Sequence, residues 1–163
     1  VQGLLTAGFK VTAVSRESST STFPDGVEVR RADLSSVESL TKAFAGQDVV
    51  IVTVPARESG NQNLYIDAAV AAGVKRFIPA EWGYDNRPGK LSGPLAALFS
   101  GKTKTLEYLV EQTKLHPSLT WTGLATSTFL DWVSCPYQSP VSRLTRLTAA
   151  GPRLRHLRHQ PCR

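Results

Sequence analysis

The sequence has no methionine, only two cysteines and no long hydrophobic run, and from Ser134 to its end it has no acidic residue. Each absence excludes something. Without an initiator methionine, the opening Val1 reads as lying inside a longer reading frame. Cys135 and Cys162 both fall in the last thirty residues and match no metal or redox spacing, so they read as incidental thiols and no metal site is expected. No apolar stretch approaches the roughly 20 residues needed to span a bilayer, and no secretory leader is expected. A cytoplasmic protein with no membrane role is expected.

The net charge of +6 is unevenly placed. From Val1 to Val133 thirteen basic residues face thirteen acidic ones, whereas Ser134 to Arg163 holds six arginines against none. That tail also has four prolines and little that packs on a core. It reads as a basic arm for phosphate backbones, an adaptable partner-binding segment, or a stretch in a shifted frame with no evolved role. The abrupt change of composition after Thr128-Phe-Leu-Asp-Trp132 favours the last. No aromatic interleaving and no reader motif accompany the charge, so no nucleic-acid partner is expected. The domain division is therefore 1–133 for the folded body and 134–163 for the tail.

Within the body, strands and helices alternate. Lys10 to Arg16 and Val27 to Arg31 read as strands. Asp33 and Ser35 are N-cap candidates for a helix over Val37 to Phe44, with Leu40, Ala43 and Phe44 on one face. Asp48 to Val54 is an almost continuous β-branched run, the pattern of a strand buried on both faces. A helix over Asn61 to Ala72, with Leu64, Ala68 and Ala71 facing in, precedes a strand over Lys75 to Pro79. A long helix from about Leu95 to Leu115 and a strand from Leu119 to Ala125 complete the pattern. This order predicts an α/β fold, a doubly wound parallel sheet.

The opening residues fit that order. Val1, Leu4 and Leu5 lie at helical spacing and Gly8 is a C-cap, so the chain begins in a helix that ordinarily follows a strand. In a doubly wound sheet that first strand is central, and the turn after it carries the Gly-rich phosphate loop. The expectation is an incomplete Rossmann fold lacking both, with two unpaired internal edges.

Several segments together resemble a known family. They are LLTAGFKVTAVSRESS, VEVRRADLSS, DVVIVTVP, AAVAAGVKRFIPAEWG, GKTKTLEYLVE and LTWTGLATSTFLDW. Between Val1 and about Trp132 the chain resembles the NmrA-like and isoflavone-reductase-like atypical short-chain dehydrogenases of fungal type, apparently truncated at both ends. The resemblance implies an NADP-binding Rossmann domain and reduction by NADPH of a small aromatic or phenylpropanoid-like substrate. Some members instead bind the dinucleotide as regulators, acting on a protein partner without catalysis.

Candidate site residues follow from strand ends and from that resemblance. Arg16 ends a strand where a carboxylate would accept the ribose 2′-hydroxyl of NAD, and a guanidinium there suits the 2′-phosphate of NADP, with Ser15, Ser18 and Ser19 nearby. Asp33 either approaches the adenine edge or caps the next helix. Val54 and Pro55 end another strand at the ligand-binding edge, and Asn61 and Gln62 open the next helix as cofactor contacts or caps. Glu81, Trp82 and Gly83 leave a further strand at the same edge. There Glu81 is a cofactor contact, and Trp82 either covers a nicotinamide or substrate ring or packs under its loop. Thr128 and Phe129 line the substrate side or form a structural turn, as does Ser127.

By the family resemblance Lys102 binds the nicotinamide ribose and assists proton transfer. Lys104, two positions on, points elsewhere. Phe99 and Leu98 stand three and four residues before Lys102, so the tyrosine acid of ordinary short-chain dehydrogenases is unsupported.

Overall fold

The computed structural model describes residues 1–55, 60 and 62–127, and for residue 95 the backbone alone. Thr128, Phe129, Asn61 and the expected boundary after residue 133 lie outside the described residues. Ten elements follow one another: α1 (Gln2–Thr6), β1 (Val11–Ser15), β2 (Val27–Arg31), α2 (Val37–Phe44), β3 (Val49–Ile51), α3 (Gln62–Ala71), β4 (Arg76–Ile78), α4 (Gly93–Leu98), α5 (Ser100–Leu115) and β5 (Thr120–Trp121). Every strand pairing among them is parallel. The expected alternation of strands with helices is therefore present.

The strands form two sheets, ordered β2-β1 and β3-β4-β5. No described strand pairs with the second edge of β1 or with that of β3. The two pieces are held together from the helical side, where α2 packs against α3 and α3 against α5. Phe77 of β4, Ile66 of α3 and Leu109 of α5 are completely buried at the centre of this packing, with Leu40 of α2 beside them. Each such side chain contributes roughly 1.5–3 kcal/mol through its removal from water.

Four sequence expectations change here. The β-branched run of β3 is buried on one face only: Val50 and Val52 are covered, whereas Val49 and Ile51 are 46% and 40% exposed. Helix α3 contacts α2 on one side and α5 on the other, and residues of all three join Val50 and Val52 in one core cluster, whereas the opposite face has no such layer among the described residues. Helix α3 buries Gln62, Tyr65, Ile66, Ala68 and Ala69, with Leu64 half-buried and Ala71 exposed. Lying between α2 and α5, it is covered on two sides, so its buried face is wider than the stripe expected from Leu64, Ala68 and Ala71.

The expected long helix is also two helices, broken at Phe99, whose φ of −103° and ψ of 11° leave the helical region. A Cβ on Gly101 would lie 3.2 Å from the Gly60 Cα, so the glycine permits a close backbone approach at the start of α5. The N-cap of α2 is Ser36, whose side chain accepts from the Ser39 N–H at 3.2 Å, in place of Asp33 or Ser35. Asp33 instead closes the turn ahead of it, its Oδ1 accepting from the Ser35 N–H and hydroxyl at 2.9 and 2.6 Å.

Candidate functional site

Parallel strands put all their carboxyl ends on one edge of a sheet, which is where ligands bind in open α/β folds. At the end of β4 the chain makes a tight turn, the Glu81 N–H donating to the Pro79 carbonyl at 2.8 Å. Glu81 is 3% exposed, an unusual place for a carboxylate. One of its oxygens accepts from Asn86 Nδ2 at 2.7 Å. The same amide nitrogen donates to the Tyr84 carbonyl at 2.9 Å, which fixes the orientation of the Asn86 carboxamide. Among the described residues, the other Glu81 oxygen, Oε1, and Asn86 Oδ1 are buried with no hydrogen-bond donor.

Lys102 reaches this turn from the first turn of α5. Its Nζ donates to the Glu81 backbone carbonyl at 3.1 Å and sits 5.9 Å from the centre of the Phe99 ring. The lysine is 7% exposed. Burial holds its affinity for protons below the ordinary lysine value, against the opposing pull of the Glu81 charge. Burial likewise raises the Glu81 carboxyl above the usual range, with the Asn86 hydrogen bond and the Lys102 charge acting the other way. Lys104 is exposed and lines a separate cleft with Thr103 and Glu107, so the two lysines diverge as expected.

A cleft of about 390 Å³ opens beside Glu81 and Asn86, walled by Leu106, Trp121 and Ala125 and edged by Asp85 and Arg87. Asp85 is engaged by Arg87, which donates to it at 2.6 to 3.1 Å and holds its carboxyl down at about 2. The segment after β5 returns to the same place, the Ser127 N–H donating to the Gly83 carbonyl at 2.9 Å. Ser127 takes a φ of 59°, the left-handed region that non-glycine residues seldom enter.

The other sequence candidates divide. Trp82 is half-buried against the core, and its indole N–H donates to the Val52 carbonyl at 2.8 Å, tying the loop after β4 to β3. Val54 is half-buried and Pro55 exposed at the end of the β3 segment. Gln62 turns inward: it is completely buried, and its Oε1 accepts from the Ala80 N–H at 2.7 Å. Its hydrogen bond therefore serves the scaffold beneath the Glu81 turn.

Ser15, Arg16, Ser18 and Asp33 lie at the carboxyl ends of β1 and β2, away from the Lys102 cluster. Sequence reasoning missed Arg31 there. It is the register partner of Ser15, and its guanidinium donates to the Ser15 hydroxyl and, at 3.5 Å, to the Arg16 carbonyl. The parallel register was the signal that would have paired them. Asn86 was missed as well, and only burial distinguishes it from an ordinary loop asparagine.

A guanidinium beside a serine hydroxyl, as Arg31 is beside Ser15, has the chemistry to hold a phosphate monoester, and a buried ammonium such as Lys102 that to hold a ribose hydroxyl. Fold and strand-end chemistry together define an α/β protein of Rossmann type. The comparisons then give the family: the model for the NmrA-like family matches residues 1–148, and the chain belongs to that family.

An oxidoreductase, aprR, from Aspergillus flavus is 43% identical over 124 residues, covering 76% of this chain and 41% of its own. An isoflavone reductase homologue, A622, from Nicotiana glauca is 41% identical over 80 residues, covering 48% and 26% respectively. Among solved structures, AtPrR2 with NADP+ and (+)-pinoresinol superimposes with a TM-score of 0.66 at 22% identity, over 80% of this chain and 46% of its own. The chain thus spans less than half the length of each of these relatives. Among the described residues no helix is long and apolar enough to cross a membrane.

Proposed function

We propose that the chain carries part of the cofactor and proton-handling site of an NADPH-dependent reductase acting on a small aromatic or phenylpropanoid-like substrate. The observation that carries the reading is Lys102, a buried ammonium fastened to the Glu81 carbonyl at a sheet's carboxyl edge. A lysine at a solvated helix face has no such constraint. The fungal relative described as an oxidoreductase and the neighbour holding NADP+ and pinoresinol support the same direction.

When bound, the nicotinamide supplies a hydride to an electrophilic carbon of the substrate. The residues here do the rest. Arg16 and Arg31, with Ser15 and Ser18, hold the 2′-phosphate by charge-assisted hydrogen bonds. Lys102 orients the ribose hydroxyls and gives a proton from Nζ to the substrate atom that gains electron density. Glu81 and the Val54–Pro55 backbone wall the cofactor side, while Trp82 and Gly83 border the substrate side.

The test is cofactor selectivity. Arg16→Ala weakens NADPH binding at least tenfold more than NADH binding in calorimetric titration; equal losses remove the argument for NADP. A second reading, a dinucleotide-binding regulator without turnover, is favoured by Leu98 standing four residues before Lys102, where a tyrosine acid would otherwise serve. NADPH binding with no NADPH consumption, and binding of a protein partner that depends on the cofactor, would decide for it.

A further inference from the structure

The Glu81 carboxylate presents a contradiction that the proposed function does not absorb. It is buried, receives one side-chain hydrogen bond, and leaves Oε1 without a donor while the adjacent Asn86 Oδ1 has none either. Two orphaned buried acceptors are costly. A glutamine at position 81 would keep the acceptor for Asn86 Nδ2 in its carbonyl oxygen while removing the charge. A buried carboxylate at this position costs desolvation that a neutral side chain would avoid.

The surroundings show what that charge faces. Asp85 is committed to Arg87, and Asp67 of α3 accepts from the Tyr108 hydroxyl of α5 at 2.6 Å. Lys104 and Glu107 lie on the exposed side of α5. Helix α4 and strand β5 have no ionisable residue, nor does the described segment from Val49 to Pro55 at the end of β3. Among the described residues, Lys102 is left with Glu81 as its counter-charge.

We infer that Glu81 is a positioning residue for Lys102: its backbone carbonyl aims the ammonium and its buried carboxylate, oriented by Asn86, keeps that ammonium protonated. A lysine buried without a counter-charge loses its proton easily, and a proton donor without its proton is useless. The division of labour is economical in sequence, since one residue at the β4 edge sets both direction and charge. The inference rests on the reading of Lys102 as the proton-handling cation. Its test reads the titration of the amine itself, so it stands or falls separately from turnover.

The experiment is pH-dependent acylation of the full chain with acetic anhydride, followed at Lys102 by peptide mass spectrometry, with exposed Lys104 as the internal reference. Glu81→Gln, isosteric and able to pair with Asn86, lowers the Lys102 midpoint by about one pH unit, giving roughly tenfold more free amine at a given pH. Lys104 does not move. Glu81→Asp keeps the charge and restores most of the midpoint.

A folded Glu81→Gln chain with an unchanged midpoint overturns the inference, as does an aspartate variant that shifts as far as the glutamine one. Should Glu81→Gln fail to fold, the reciprocal Lys102→Met variant decides by linkage. Loss of the ammonium raises the Glu81 carboxyl further if the two charges are coupled, so the loss of stability with rising pH that its ionisation causes extends to higher pH, and an unmoved window overturns the coupling. If the coupling holds but Lys102→Met still reduces substrate, the proposed function fails and the inference survives.

Discussion

Replacing Gln62 by leucine separates a scaffold role from a ligand role at a residue that the sequence offered for both. Gln62 is completely buried and accepts from the Ala80 N–H at 2.7 Å, and Ala80 itself is only 2% exposed. Leucine fills nearly the same volume but takes the acceptor away, so the Ala80 N–H is left in a site that water does not reach. An orphaned buried donor costs on the order of 2 kcal/mol. For a chain of this size that is a fall of about 4–8 °C in melting temperature. Thermal denaturation followed by circular dichroism measures the fall, and hydrogen exchange locates it, because the Ala80 amide should lose protection while the β1–β2 ladder keeps its own. A Gln62→Leu chain as stable as the parent, with Ala80 still protected, would refute the reasoning. NADPH binding lost without loss of stability would return Gln62 to the ligand.

Other outcomes follow from the same geometry. The Tyr108 hydroxyl donates to Asp67, and the hydrogen bond together with burial pushes its ionisation up to about 12. Because the folded-state value is raised, the stability this tyrosine contributes is present in full below pH 10.0 and is lost as pH rises through about 12. Tyr108→Phe removes that alkaline loss, which ultraviolet titration and alkaline melts both detect. A valine at Gly101 would meet the Gly60 Cα at 3.2 Å and push the start of α5 aside. Lys102 then leaves its buried position and its acylation midpoint climbs toward that of Lys104, with helical content little changed; an unmoved midpoint would mean that the close approach does not position the lysine.

Much of the architecture was legible because it rests on local pattern. The stripe of Leu40, Ala43 and Phe44 placed α2, and Gly8, Gly46 and Gly73, with φ of 85°, 75° and 71°, marked helix ends or the turns after them. The break at Phe99 was not legible, because a glycine within a helical pattern reveals nothing about the distant Gly60 backbone lying against it. Exposure of Val49 and Ile51 depends on what covers a sheet face, which a run of β-branched residues cannot report. At the site, Lys102 and Glu81 were visible through strand ends and family pattern. Arg31 required the strand register, and the Glu81–Asn86 pair required knowledge that both side chains turn inward. Long-range packing accounts for each of these misses.

The division of the strands into two sheets has a consequence for cooperativity. Arg16 and Arg31 belong to the β2-β1 piece, whereas Glu81 and Lys102 belong to β3-β4-β5 and its helices, and no described backbone ladder runs from one to the other. What joins them is the seam of α2 on α3, made of side chains such as Leu40 and Ile66. Ladder hydrogen bonds transmit order along a sheet, but a helix seam can slip or part while each side stays folded. The two pieces should therefore behave as separate foldons, with exchange protection falling in two steps as denaturant rises. The span between the proposed phosphate clamp and the proposed proton donor is then set by hydrophobic burial at a place that touches neither.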